Sequence, residues 1–379
     1  MTAIASNSPL SSAPTVTAVD TFALQIPFTD GSAGTGLMPQ KWTKLDIVLV
    51  RITCSDGIEG WGDAFAYACR APVQAALDTM VAPLLLGSAC DDVAAVNAML
   101  QRRLHLHGRY GLTMFAISAV DIALWDAHAK RLGQPLCRIL TDAPRARVDA
   151  YASLVRYGTP DQVAHYAAQA VSQGYRTLKL HEIAAETITA ARKAIGPDIA
   201  LATDVNCAWS KDEAATLIPL ARSLDLLWVE EPVFPPDDER ALAALHRQHG
   251  VALASGENAC TAVEFARLMP ALTYPQPSVT KVGGITECLH IMALAKDAGK
   301  TLMPHAPYFG PGYWATLQLL ATLSPASLLE RFFIEPEAFC GRAIPLPIDG
   351  RVSVPETPGI GFEPDHDVIE RYAVRATST

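Results

Sequence analysis

Acidic residues recur along the middle of this chain at nearly the length of one βα unit. Asp204 stands in ALATDVNCAW, Glu230 in LLWVEEP and Glu257 in ALASGEN, at intervals of 26 and 27 residues. Each acid follows an apolar run that reads as a buried strand. His181 lies 23 residues before Asp204, and His305 lies 48 after Glu257, about two beats further on. A strand, a helix and two short loops take roughly that many residues. The beat therefore points to successive parallel strands with polar groups at their C-terminal ends, as a (β/α)8 barrel uses to build one site at its top face. Three carboxylates gathered there repel one another unless a cation holds them. All-oxygen ligation, completed by water or substrate, suits Mg2+. The bland alternative is a set of ordinary salt-bridging acids at a barrel rim.

The alternation of strand and helix begins after Arg147. VDAYASLV reads as a strand, DQVAHYAAQAVSQG as a helix and YRTLKLH as the next strand, and SVTKVGG and TLMPHAP count among the later strands before SLLERFF. The segment is near 190 residues, with about seven or eight strands, which is short for a TIM barrel. Ahead of it, TAVDTFALQI, KLDIVLVRITCSD and DGIEGWGDA are strand-like. MFAISAVDIALWDAHAKRLGQPL then shows helical spacing and a Gly-Gln-Pro stop. Strands followed by helices suggest an α+β domain. The expected division is a disordered tail at 1–14, an α+β capping domain at 15–145, a barrel at 146–339 and a C-terminal segment at 340–379 that packs back on the first domain. The loop FTDGSAGTGLMPQKW is long for a hairpin and reads as a flap, with Gly31, Gly34 and Gly36 making it mobile.

Composition excludes several classes. The net charge is −9, with 39 acids against 30 bases. A nucleic-acid partner would want a basic face instead. No uncharged apolar stretch reaches membrane-spanning length, and MTAIASNSPLSSAPT lacks the basic start of a signal peptide. The expectation is a soluble, cytoplasmic protein with no nucleic-acid and no membrane partner. Its eight cysteines are scattered without a CxxC pair, which fits reduced, buried small hydrophobes. Cys207 and Cys260 each fall within three residues of a proposed metal acid and are candidates to line the site.

GYRTLKLH, TDVNCAW, WVEEP, SGEN, TKVGGIT, PHAP, LLER and DGRVSVPETPGIGF stand in an order and at a spacing that are specific together. On these motifs the chain resembles the enolase superfamily, in its mandelate racemase/muconate lactonizing branch, over nearly its whole length. The resemblance implies an α/β fold: a (β/α)7–8 TIM-like barrel under an N-terminal α+β capping domain. It implies Asp204, Glu230 and Glu257 as ligands of Mg2+. Glu231 is the rival in the second place. Adjacent strand residues point to opposite sides, so only one faces the ion, and the family pattern favours Glu230. Family members hold a small carboxylate substrate on Mg2+ and remove the proton next to it. The resulting ene-diolate carries two negative oxygens, which a divalent ion and a nearby ammonium stabilise.

The usual Lys-x-Lys of the second strand is Lys179-Leu180-His181 here. Lys179 is expected to hold the carboxylate, and His181 takes the position of the base. An imidazole suits that task because its free pKa lies near neutrality. His305 matches the histidine of the racemase-like subgroup, where it pairs with an aspartate from the preceding strand. Ser278 stands in that place. It can orient the ring but cannot stabilise an imidazolium as a carboxylate would, so His305 is cast as an acid. Asn206, Lys281 and Glu330 are the substrate-binding candidates. Lys281 is alternatively structural, and Glu335 is the alternative to Glu330. GDAFAY resembles a segment that closes over substrate. His105, His107, His128, His246 and His249 lie in helical segments and read as surface or core residues. The implied reaction is dehydration of a hydroxy acid or acid sugar. The alternatives are a racemase or epimerase, a lactone cycloisomerase, or a non-catalytic carboxylate-binding relative. The resemblance also implies a homo-oligomer.

Overall fold

The computed structural model describes residues 13–31 and 42–374. Most of the expected N-terminal tail, and Gly34 and Gly36 of the expected flap, lie outside the described residues.

The N-terminal unit is built on three long antiparallel strands. β1 (Val16–Thr29) pairs with β2 (Lys44–Cys54), and β2 pairs with β3 (Glu59–Ala64). β2 is buried on both faces, and its alternation sorts the two cores. Val48, Val50, Ile52 and Cys54 join the cluster under the N-terminal helices. Leu45, Ile47 and Leu49 point the other way, into the main core shared with the barrel. β3 reads Glu-Gly-Trp-Gly-Asp-Ala for a steric reason. A Cβ at Gly60 or Gly62 would sit 1.9 or 2.0 Å from the carbonyl oxygens of Ala123 and Ala119. Glycine at both positions lets the helix Gly111–Arg131 lie directly on the strand.

That helix is long and apolar enough to cross a membrane, yet 78% of its apolar window is buried inside the fold. It is a core helix. Its two buried acids tie it to neighbours. Asp121 accepts from the Thr286 amide (3.0 Å) and from Asn97 (2.7 Å). Asp126 accepts from the Trp61 and Ile360 amides, both at 2.9 Å.

Seven parallel strands follow: β4 (Arg147–Ser153), β5 (Thr177–Leu180), β6 (Ala200–Asp204), β7 (Leu226–Glu230), β8 (Leu253–Ser255), β9 (Tyr274–Pro275) and β10 (Leu329–Phe332). They hydrogen-bond in the order β10-β4-β5-β6-β7-β8-β9, with helices between most successive strands. Two expected strands differ. SVTKVGG is mostly turn, and the strand falls upstream at Tyr274–Pro275. TLMPHAP runs extended beside β9 but forms no ladder; it is held by Met303 N to Pro275 O (3.0 Å) and His305 N to Pro277 O (3.2 Å). Pro275, Pro277, Pro304 and Pro307 explain this, because each removes a donor that a ladder needs.

The last part of the chain visits both units. β11 (Glu335–Pro336) pairs with β1, and β12 (Arg351–Ser353) pairs antiparallel with barrel strand β4. Further on, Gly359 bridges Pro135, and Val374 N donates to Ala23 O at 2.8 Å.

Candidate active site

Each candidate acid stands at or just past the C-terminal end of its strand, so the parallel register brings them together. Asp204 ends β6 and Glu230 ends β7, directly paired in register. Glu257 follows β8 by two residues. One carboxylate oxygen from each lies within 4.8 Å of the others. Glu231 is not part of this group. It adopts φ +44°, accepts from Asn258 (2.9 Å) and meets the Cys207 thiol (3.4 Å). Burial, then the charges of Glu257 and Asp204, push its carboxyl up to about 8. Asn206 and Cys207 also have positive φ, so three non-glycine residues hold left-handed backbone beside the trio. Strain of this kind persists where the surroundings fix it.

Lys179 lies on β5, wholly buried under the acids. Its ammonium is 2.8 Å from Glu230, 3.0 Å from Glu330 and 3.7 Å from Asp204. Burial alone would favour the neutral amine, but Glu230 and Glu330 outweigh it and hold Lys179 well above its ordinary value. Burial also resists charge on Asp204, yet the His181 hydrogen bond and Lys179 bring its carboxyl down. Glu257 is likewise held well below the usual range, against burial, chiefly by His305 and Lys281. Burial pushes Glu230 well above the usual range, and the neighbouring Asp204 and Glu330 add to that push while Lys179 opposes it.

His181 follows Lys179 on the same face. Its Nδ1 meets the Leu154 carbonyl, and its Nε2 stands 3.4 Å from Asp204. A carbonyl only accepts, so Nδ1 carries a hydrogen, and Nε2 is the atom through which the ring exchanges a proton with the site. His305 is oriented differently. Its Nε2 is 2.8 Å from Glu257, while its Nδ1 lies 3.2 Å from the Tyr308 hydroxyl and 3.4 Å from Ser278.

A cavity of about 210 Å3 opens onto these groups. Its polar lining is His181, Asn206, Glu257, His305 and Glu330, and its outer wall includes Trp42, Phe65, Tyr67 and Phe332. Asn206 bonds Asp204 through both its amide N (2.8 Å) and its side chain (3.0 Å). Glu330 also accepts from the Ala306 amide at 2.8 Å. Glu335 is on β11 with its side chain 66% exposed. Lys281 sits behind Glu257 at 3.6 Å, bonds Asn258 (3.1 Å) and lies 4.5 Å over the Phe65 ring. Cys260 is packed in the N-terminal unit's core cluster. His105 and His107 lie on an exposed turn.

Sequence reasoning missed Tyr308 and Arg156. Tyr308 stands three residues after His305 in HAPYFG. Arg156 lies three residues past the end of β4, where the strand-end rule would have looked. It donates to the His181 carbonyl (2.6 Å) and to Asn206 Oδ1 (3.2 Å).

The donor set fits a divalent cation. The ion pairs around the trio contain four carboxylates and only two lysines, so the acids outnumber the cations that face them. Asp204 and Glu230 are fully buried, and buried carboxylates crowded together are stable only when positive charge is shared among them.

Comparisons with known proteins agree with this construction. Residues 162–368 match the family described as enolase C-terminal domain-like, and residues 37–141 match the mandelate racemase/muconate lactonizing enzyme N-terminal domain. A 3,6-anhydro-alpha-L-galactonate cycloisomerase of Streptomyces coelicolor is 30% identical over 343 residues, covering 87% of this chain and 92% of the relative. An L-talarate/galactarate dehydratase of Salmonella typhimurium is 34% identical over 294 residues, 74% of this chain and 73% of the relative. Among solved structures, a racemase from Streptomyces coelicolor A3(2) with bound magnesium superposes with a TM-score of 0.82 at 28% identity, covering 95% of this chain and all of the other. Matched on both units and by relatives along most of its length, this chain belongs to the enolase superfamily, in its mandelate racemase/muconate lactonizing branch.

Proposed function

We propose that this protein is a Mg2+-dependent lyase that removes the proton next to a carboxylate and dehydrates a hydroxy acid or acid sugar. The observation that carries the reading is the asymmetry of the two histidines. Both line one cavity and aim Nε2 at an acid of the trio, at 3.4 Å from Asp204 and 2.8 Å from Glu257. His181, however, has its Nδ1 hydrogen fixed on the Leu154 carbonyl, which leaves Nε2 as its basic atom. His305 has its Nδ1 on hydroxyls and the closer carboxylate contact, which favours the protonated ring. One base and one acid suit elimination; racemisation wants two matched bases.

In this reading Asp204, Glu230 and Glu257 hold Mg2+. When bound, the ion supplies positive charge where the substrate carboxylate gains electron density. Lys179 adds a second positive charge beneath the same point. His181 Nε2 accepts the α-proton. The electron pair left on carbon forms the new double bond, the β C–O bond breaks, and the departing oxygen takes a proton from His305 Nε2 and leaves as water. Asn206 and Glu330 position the substrate, and Lys281 fixes Glu257. Trp42, Tyr67 and Phe332 exclude water above the reacting carbons, which strengthens every charge interaction below them.

Incubation with Mg2+ and a panel of acid sugars and hydroxy acids tests this by mass spectrometry. Loss of one water from one member is expected. No loss of water and no α-proton exchange in deuterated water across the panel would overturn it. The second reading is a cycloisomerase or epimerase on the same residues, favoured by the Streptomyces relative's name. Exchange or ring closure without mass loss would select it.

The same proposal divides the chain into a capping domain at 15–145, a barrel at 146–339 and a returning segment at 340–379, supported by the separate antiparallel and parallel sheets. A homo-oligomer is supported by exposed Leu106 and Tyr110, tested by light scattering. A cytoplasmic location is supported by eight free cysteines.

A further inference from the structure

The resemblance to racemase-like relatives implies a carboxylate behind the second histidine, and this chain has Ser278 there. The position is nevertheless filled. Tyr308 turns back from three residues downstream, and its hydroxyl meets both the Ser278 hydroxyl and His305 Nδ1, the latter at 3.2 Å. The two rings cross edge to face at 83° with centroids 5.8 Å apart. Ser278 and Tyr308 are both buried, so water does not compete for these contacts. The loop that carries the pair is anchored at its far end. Gly312 N, at the start of helix Pro311–Leu320, donates to Asp63 of β3. Gly310 packs so tightly on that carboxylate that a Cβ would lie 2.6 Å from it.

We propose that Tyr308, with Ser278, is the positioning residue of His305: a neutral hydroxyl pair that takes the place of a carboxylate behind Nδ1. This deepens the lyase reading and rests on it for the step it serves. The chemistry of the partner matters. A carboxylate only accepts, whereas a hydroxyl both donates and accepts. The pair therefore keeps a hydrogen bond on Nδ1 whichever state the ring occupies. When His305 Nε2 releases its proton to the departing oxygen, Nδ1 keeps its own hydrogen on the Tyr308 oxygen, and the ring does not swing. The Nε2–H bond breaks, the new O–H bond completes a water molecule, and no other group is oxidised or reduced. Burial holds the Tyr308 phenol well above its ordinary value, so the partner stays uncharged throughout. The second face thus has a directed donor with hydroxyls, and no anion, behind its Nδ1.

The test is nitrogen-15 NMR of the full chain labelled in histidine and saturated with Mg2+, with His305 identified by loss of its signal in His305→Asn. In the parent, Nδ1 should show a hydrogen-bonded shift and one ring state. Tyr308→Phe, which keeps the ring, should broaden or split the His305 signals while leaving those of His181 unmoved. Ser278→Ala should give a smaller change of the same kind, and it serves where Tyr308→Phe does not fold. A parent Nδ1 shift free of hydrogen bonding, or Tyr308→Phe spectra identical to the parent, overturns the proposal. This readout needs no substrate, so it stands apart from failure of the lyase reading. With a dehydrated acid in hand, Tyr308→Phe should lower kcat by about 10- to 100-fold with KM nearly constant, by analogy with the cost of removing the partner that orients a metal-ligating histidine. A raised KM at unchanged kcat would count the tyrosine as cavity wall only.

Discussion

Glu230 is the most exacting residue of the site. It is wholly buried, it contacts Lys179, and burial pushes its carboxyl well above the usual range. Glu230→Gln keeps the shape and the Lys179 contact but removes the anion. Mg2+ affinity by calorimetry should fall by more than about 100-fold, beyond the usual cost of an outer-shell change. An unchanged affinity would remove Glu230 from the ligand set. His181 makes a contrasting case. His181→Asn should cut α-proton exchange by about 10²- to 10⁴-fold while Mg2+ affinity stays within a few-fold. If exchange persists, the base lies elsewhere. These residues were legible in the sequence because each sits where a strand stops, and strand ends are spaced by chain geometry alone. Tyr308 and Arg156 were not. They matter through contacts with His305, Ser278 and Asn206 that depend on loop paths, which no periodicity encodes.

At the scale of elements, strand β3 shows how the N-terminal unit supports the barrel loops. Asp63 ends up beneath the start of helix Pro311–Leu320, where burial pushes its carboxyl up to about 7 against the opposing Gly312 hydrogen bond. The sign follows from the raised value. The folded state binds this proton more tightly than the unfolded chain does, so the contribution to stability is full below the ordinary value of 3.8 and is lost as pH rises through about 7. Asp63→Asn abolishes the titration. Between pH 4 and pH 8 the variant should gain on the parent, on the order of a few kcal/mol for a shift of this size. Thermal melts of both proteins across that range check it. A parent that gains on the variant instead would mean that the positive helix terminus outweighs burial. The glycines of β3 were visible in the sequence as part of a turn and return strand. Their reason was not, because the helix they admit lies about sixty residues later. The loss of the TLMPHAP strand has a readable cause in its prolines, yet its place in the series of strands and helices outweighed them in the reading.

For the whole molecule, a shared ion should act as a fastener. A ligand that binds only the folded state stabilises it by about 2.7 kcal/mol when present at a hundred times its Kd. Mg2+ should therefore raise the Tm of the parent by several degrees, EDTA should reverse the rise, and Glu230→Gln should show neither change. A parent indifferent to both reagents would mean that the three acids do not share a cation. The overall architecture was the easiest thing to read, since seven βα beats repeat one instruction. The route of the final segment was harder. Nothing in the short β12 run announces that it lies against β4.

That route bears on how the protein is made. Ala150 waits for Leu329, and Asp149 waits for Arg351, as partners on either side of one strand. During translation the first barrel strand emerges long before either neighbour exists. The nascent chain must carry an open seam until Leu329 and Arg351 have left the ribosome. Synthesis stalled shortly before Leu329 should yield a chain that recruits chaperones, whatever the quality of the residues already made.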